Sequence, residues 1–148
     1  MPRIAKPGND PAECLFCKII RREITAHIVF EDVDALAFLD HRPLFPGHVL
    51  LIPKEHHQTL THLPDALVGP LFTIARTLAA AVETALSAEG TFVAMNNRVS
   101  QSVPHLHIHI VPRRKKDGLK GFFWPRHPYK DAAEMEAAAQ AIRTALSK

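Results

Sequence analysis

The sequence predicts an α+β fold: a mainly antiparallel sheet of about five strands, one long helix and a C-terminal helix. Three observations carry this expectation. Short runs rich in β-branched and aromatic residues are set off by Pro, Gly and Asp, as strands are. One longer stretch repeats apolar residues every three or four positions, as an amphipathic helix does. Strand and helix patterns do not alternate in the way a parallel βαβ sheet requires.

In chain order, residues 1–12 are polar, contain Pro2, Pro7 and Pro11, and read as a flexible tail ahead of a single domain over 13–148. His27 to Glu31 and Ala35 to Asp40 read as two strands about the turn Asp32-Val33-Asp34. A loop punctuated by Pro43, Pro46 and Gly47 feeds the strand His48 to Ile52, which Pro53 ends. Leu67, Leu71, Ile74, Leu78, Val82 and Leu86 form one face of the long helix. Pro70 is expected to begin or kink it, and Gly90 to close it. Thr91 to Asn96 and His105 to Val111 complete the strands. Asp131, with Glu134 three residues on, is a capping box that opens a helix along Met135, Ala138, Ile142 and Leu146.

With 148 residues, the chain suits one domain that buries a core without disulfides. Charged residues at 22% and hydrophobic ones at 47% are ordinary for a soluble protein. No uninterrupted apolar run approaches the ~20 residues of a membrane span, and residues 1–13 lack a signal-like apolar region. A cytoplasmic protein without a membrane partner is the expectation. The net charge of +3 suits a phosphate-bearing ligand without requiring nucleic acid. The basic run from Arg113 to Lys116, with Lys120, Arg126 and Lys130, reads as a solvated loop.

The strand at 105–111 carries the chemistry. Alternation sends Leu106, Ile108 and Ile110 to the core and puts His105, His107 and His109 on the opposite face, about 7 Å apart. Imidazoles titrate near neutrality and offer two distinct nitrogens, so such a row suits phosphate chemistry or a metal. A half-exposed strand that happens to use histidine is the bland alternative.

The pattern His-φ-His-φ-His-φ-φ, with φ apolar, resembles the signature of the histidine triad family over His105 to Val111. Phe16 to Ile24, Phe30-Glu31-Asp32, Ala37 to Asp40, Pro46-Gly47-His48, Ile52-Pro53-Lys54 and Gln101-Ser102-Val103 are similar to the family's other segments, in order. The resemblance spans about residues 13 to 113, leaving a C-terminal extension from about 114 outside it. It implies a nucleoside phosphate ligand and transfer of the nucleotidyl group through a covalent nucleotidyl-histidine. On it, His107 is the nucleophile, His109 donates to the phosphate oxygens, and Ser102 serves the leaving group. Asp40 takes the ribose hydroxyls, Phe16, Ile19 and Phe38 form the slot for the base, and Asn96 with Gln101 borders the phosphate. Family members usually carry glycines ahead of the Gln-Ser pair; residues 97–100 are shorter and have none, and Arg98 is the charge available there.

Cys14 and Cys17 are the only cysteines, spaced C-x₂-C. In a reducing compartment that spacing points to metal or to plain burial rather than a disulfide. Zinc-containing relatives, among them galactose-1-phosphate uridylyltransferases, resemble this chain in pairing two such cysteines with a histidine after the third strand and the first triad histidine. The resemblance implies a structural Zn²⁺ on Cys14, Cys17, His56 and His105, His56 being favoured over His57 by its place after Pro53-Lys54. His27, His41, His48, His62 and His127 read as surface or packing residues.

The expected function is therefore a nucleotidyl hydrolase or transferase, of phosphoramidase or dinucleoside polyphosphate hydrolase type, acting on purine nucleoside phosphates. Homodimerisation is a further implication of the resemblance. Two alternatives stand: a non-catalytic nucleotide-binding or interaction module of the same fold, and a hydrolase whose metal sits on all three triad histidines.

Overall fold

The computed structural model describes residues 10–119 and 126–147. It divides into two compact units, Met1–Lys115 and Lys116–Lys148. The first contains α1 (Leu15–Ile20), β1 (Ile28–Glu31), β2 (Ala35–Leu39), β3 (Val49–Pro53), a 3₁₀ turn at Leu60–His62, α2 (Asp65–Leu86), β4 (Gly90–Ala94) and β5 (Ile108–Arg113). The second contains α3 (Ala132–Leu146). Five strands form one antiparallel sheet in the order β1-β2-β3-β5-β4.

Both faces of the sheet are covered, which explains why β2 and β3 read as unbroken apolar runs instead of alternating. On one face Leu71, Ala75, Leu78 and Val82 of α2 pack against Ala35, Ala37, Val49, Leu51, Ile108 and Ile110. On the other, Phe16, Cys17 and Ile19 of α1 pack against Leu36, Phe38, Leu50 and Ile52. Each fully buried Leu or Ile contributes about 1.5–3 kcal/mol, so the two clusters fix the register of β2 and β3 from both sides. With 22 residues and few charges, α2 has the length and apolarity of a membrane span, yet its apolar face is built into this core.

Several local features differ from the sequence expectations, among them the ends of β3, which takes in Pro53, and of β4, which stops at Ala94. Pro70 neither begins nor ends the long helix: α2 starts at Asp65, after Pro64, whose φ of −60° leads into a helix. Gly90 does not close it; Ser87 takes the left-handed cap at φ +49°, and Gly90 becomes the first residue of β4. The helix α1 has no periodic signal in the sequence, because six residues are too few to show a period. Last, β5 begins at Ile108, not His105. The backbone turns after Pro104: the His105 N–H donates to the Val103 carbonyl at 2.8 Å and the Leu106 N–H to the His57 carbonyl at 2.7 Å, so neither joins the ladder. In the second unit, the Asp131 side chain accepts from the Glu134 N–H at 2.8 Å, as a cap should.

Candidate active site

The bend before β5 splits the histidine row in two. His105, with no exposed surface, turns its Nδ1 to the two cysteine sulfurs. His107 and His109 stay together, ring centroids 5.0 Å apart.

Hydrogen bonds assign the protons of this second group. Nδ1 of His107 lies 2.7 Å from the His105 carbonyl, which can only accept, so Nδ1 carries the proton and Nε2 the lone pair. Burial lowers the His107 pKa below its ordinary 6.5, against the raising effects of that bond and of Asp40, so the ring is neutral at neutral pH. A neutral, oriented imidazole with one free lone pair is a nucleophile in waiting.

The proton of His109 is assigned through His48, whose place in the sequence suggests only packing. The Leu44 backbone N–H donates to Nδ1 of His48 at 3.1 Å, which leaves the His48 proton on Nε2. Nε2 of His48 lies 2.9 Å from Nδ1 of His109 and donates to it. Burial, with His107 and His48 nearby, brings the His109 pKa down to about 4, so its single proton sits on Nε2, free to donate to an anion. Asp40 closes the group. Its N–H donates to the His48 carbonyl at 2.9 Å, and its Oδ1 accepts from the Arg42 N–H at 2.9 Å. Oδ2 approaches Nδ1 of His48 to 3.8 Å, but a neutral ring accepting there makes no ion pair.

Beside this group lies a groove of about 580 Å³ whose walls include Leu15, Ile19, Ile24, Phe38 and Asp40. That volume is in the usual range for a nucleotide-sized ligand. The groove thus brings together Ile19, Phe38 and Asp40, and adds Leu15 and Ile24, which carry no signal in the sequence. Phe16 lies deeper, 4% exposed, edge-on to Phe38 and to His107. Asn96 and Ser102 are exposed. Gln101 is engaged at both ends: Oε1 accepts from the Arg98 N–H at 2.9 Å, and Nε2 donates to the Gln58 carbonyl at 2.7 Å. Asn97, not Asn96, pins the same loop by accepting from the Leu60 N–H at 2.8 Å. Arg98 and Ser100 sit at φ +71° and +58°, the left-handed conformations that glycines commonly supply, and the bonds of Gln101 and Asn97 hold them there.

Cys14, Cys17, His56 and His105 form a second cluster, with one donor atom from each lying within 4.8 Å of all the others. The sulfur–nitrogen separations are 3.3 Å from Cys17 to His56, and 3.4 and 3.5 Å from Cys14 and Cys17 to His105. A tetrahedron with Zn–S about 2.3 Å and Zn–N about 2.05 Å has S···N edges of about 3.5 Å, so the set fits such an ion nearly as it stands. Nε2 of His105 donates to the Pro53 carbonyl at 2.8 Å, which leaves the Nδ1 lone pair facing the sulfurs, the usual support of a metal-bound histidine. Burial and the neighbouring Cys14 push the Cys17 thiol up to about 12, and burial brings His105 down to about 4. A bound cation would displace the thiol protons. His57 lies outside the cluster, beside Glu55.

Known proteins resemble this chain over most of its length. The HIT domain family model matches residues 21–116. The adenosine 5′-monophosphoramidase of Saccharomyces cerevisiae is 36% identical over 121 residues, 79% of this chain and 73% of that protein. An uncharacterized HIT-like protein of Mycobacterium tuberculosis is 35% identical over 140 residues, 91% of this chain and 94% of that one. Among solved structures, a member of the HIT family from Bacillus subtilis superposes with a TM-score of 0.80 at 34% identity, covering 88% of this chain and 95% of that one.

Proposed function

The chain belongs to the histidine triad family, and from that premise we propose that it is a nucleotidyl hydrolase or transferase acting at the α-phosphate of purine nucleoside phosphates. The observation that carries this reading is the 2.7 Å bond from Nδ1 of His107 to the His105 carbonyl, which fixes the attacking lone pair on Nε2. In the first step Nε2 bonds to the α-phosphorus, and the bond to the leaving group breaks with its electron pair. The imidazolium so formed keeps its Nδ1 proton on the carbonyl, and the Nε2 proton of His109 meets the charge growing on the phosphate oxygens. Ser102 hands its hydroxyl proton to the leaving group; water then attacks phosphorus, gives its proton back to Ser102 and returns the pair of the P–N bond to His107. Asp40 binds the ribose hydroxyls, and Ile19 and Phe38 the base.

Zn²⁺ on Cys14, Cys17, His56 and His105 would complete a closed tetrahedron with no position for water, so it supplies structural anchorage and no reactive ligand. The adenosine 5′-monophosphoramidase and the adenylylsulfatase of Arabidopsis thaliana, 37% identical over 109 residues, support an α-phosphate reaction by what they are named for.

The test is His107→Ala assayed on adenosine 5′-monophosphoramidate. Turnover should vanish while nucleotide binding stays near wild type. A variant keeping more than about a tenth of kcat has lost only ~1.4 kcal/mol of barrier and has not lost its nucleophile.

A further inference from the structure

We propose that Phe16 is a positioning residue for catalysis, holding the ring of the nucleophile His107. This rests on the reading of His107 as nucleophile.

Phe16 is 4% exposed, far more buried than its neighbour Leu15, which lines the groove. Its ring stands nearly perpendicular to His107, centroids 5.1 Å apart at 84°, a T-shaped contact. It makes the same kind of contact with His105, at 5.9 Å and 72°, and with Phe38, at 5.4 Å and 67°. The His105 carbonyl constrains the His107 ring at Nδ1 alone, so rotation about that bond would still swing Nε2 away from a bound phosphate. Phe16 packed against the ring removes that freedom. The residue itself cannot retreat. It lies between Cys14 and Cys17 in sequence, and both cysteine side chains are anchored to His105, so α1 is tied on either side of the Phe16 backbone. The segment that holds the nucleophile's ring is thus held by the residue whose carbonyl orients that ring. Phe38 extends the contact from the groove wall, where the base would lie, to the nucleophile.

A base-slot residue and a positioning residue differ in what they change. Truncating a base contact weakens nucleotide binding in every state and leaves kcat at saturation alone; truncating a positioning contact lowers kcat with little change in affinity. Misplacement of a reacting atom by about 1 Å can cost about a hundredfold in rate. Phe16→Leu, which keeps most of the apolar volume, should lose about tenfold or more in kcat on adenosine 5′-monophosphoramidate, with the Kd for AMP within about twofold of wild type. Phe16→Ala should lose more. The spectroscopic companion is the proton NMR signal of the His107 Nδ1–H. In the wild type this hydrogen-bonded proton should be slow to exchange with water, and in Phe16→Leu it should broaden or exchange faster. Metal content and melting temperature of each variant report whether α1 still folds onto the cysteine cluster. Should Phe16→Leu fail to fold, Phe16→Met, unbranched and of similar volume, provides the same comparison. Wild-type kcat with AMP binding weakened several-fold would return Phe16 to the base slot. Wild-type kcat, affinity and proton exchange together would leave it as plain core, and either result overturns the proposal. Failure of the nucleophile reading is separately visible, as turnover by His107→Ala.

Discussion

Gly47 is the point in the loop before β3 where a single methyl group does most damage. Its φ is +97°, and a Cβ built there would lie 2.0 Å from Cδ1 of Leu86 and 3.3 Å from its Cγ. Carbon atoms ordinarily meet at about 3.5–4.0 Å, so Leu86 must move by well over an ångström. Holding a non-glycine residue in a left-handed conformation costs about 1–2 kcal/mol, and forcing a methyl into occupied space about 1–3 kcal/mol. Gly47→Ala should therefore destabilise the protein by about 2–5 kcal/mol out of a total of about 5–15 kcal/mol. Leu86→Ala removes the clash but not the backbone strain. A double-mutant cycle read by equilibrium urea denaturation should return a coupling energy of about 1–3 kcal/mol and leave about 1–2 kcal/mol unrecovered. His48 is the next residue, so kcat/KM should fall by more than the folded fraction does. Gly47→Ala within ~0.5 kcal/mol of wild type, or a cycle with no coupling, would refute the steric reasoning.

Further expectations concern the site itself. Asp40→Ala should weaken ribonucleotides far more than their 2′-deoxy counterparts, which never offer both hydroxyls; equal losses would make Asp40 a loop anchor alone. The acid limb of kcat/KM should fall below pH 6.5, because the neutral ring of His107 is the reactive form and burial lowers its pKa; a midpoint at or above 6.5 would contradict this. For stability, His109 is neutral in the fold down to about 4 but protonates near 6.5 when unfolded. Stability is thus fully present above pH 6.5 and declines as the pH falls toward about 4, and a stability that rises over that window would be inconsistent with its burial. Cys14→Ser should lower both the metal content and the melting temperature, and chelator should lower the wild-type melting temperature; a melt indifferent to both would leave the cysteines as buried thiols.

Much of this was legible in the sequence because it rests on local pattern. Alternation placed Leu106, Ile108 and Ile110 in the core, where all three are fully buried. The spacing of Leu71, Leu78 and Val82 marked the buried face of α2, and Asp131 with Glu134 marked the start of α3. What stayed hidden depends on contacts distant in sequence. By alternation alone His105 is the first of three equivalent histidines, set apart only by the resemblance to zinc-containing relatives, and the bonds of 105–106 to Val103 and His57 are what turn it away from the other two. His48 reads as one of several spare histidines; its role appears only when β3 lies beside β5 and Leu44 fixes its tautomer. Loop 97–101 lacks glycine, yet it takes glycine-like conformations because Gln101 and Asn97 hold it from outside. Phe16 carries no sign in the sequence of which face of α1 it shares with the histidines.

Covalent nucleotidylation of His107 is the proposed step on which the rest depends. Rapid-quench intact-mass spectrometry during turnover of adenosine 5′-monophosphoramidate tests it most directly. A transient species heavier by one adenylyl group, mapped by peptide sequencing to His107, should form before free AMP and decay at the turnover rate. The species should be absent from His107→Ala. An unmodified mass throughout turnover, or an adduct on His109 in place of His107, would contradict it.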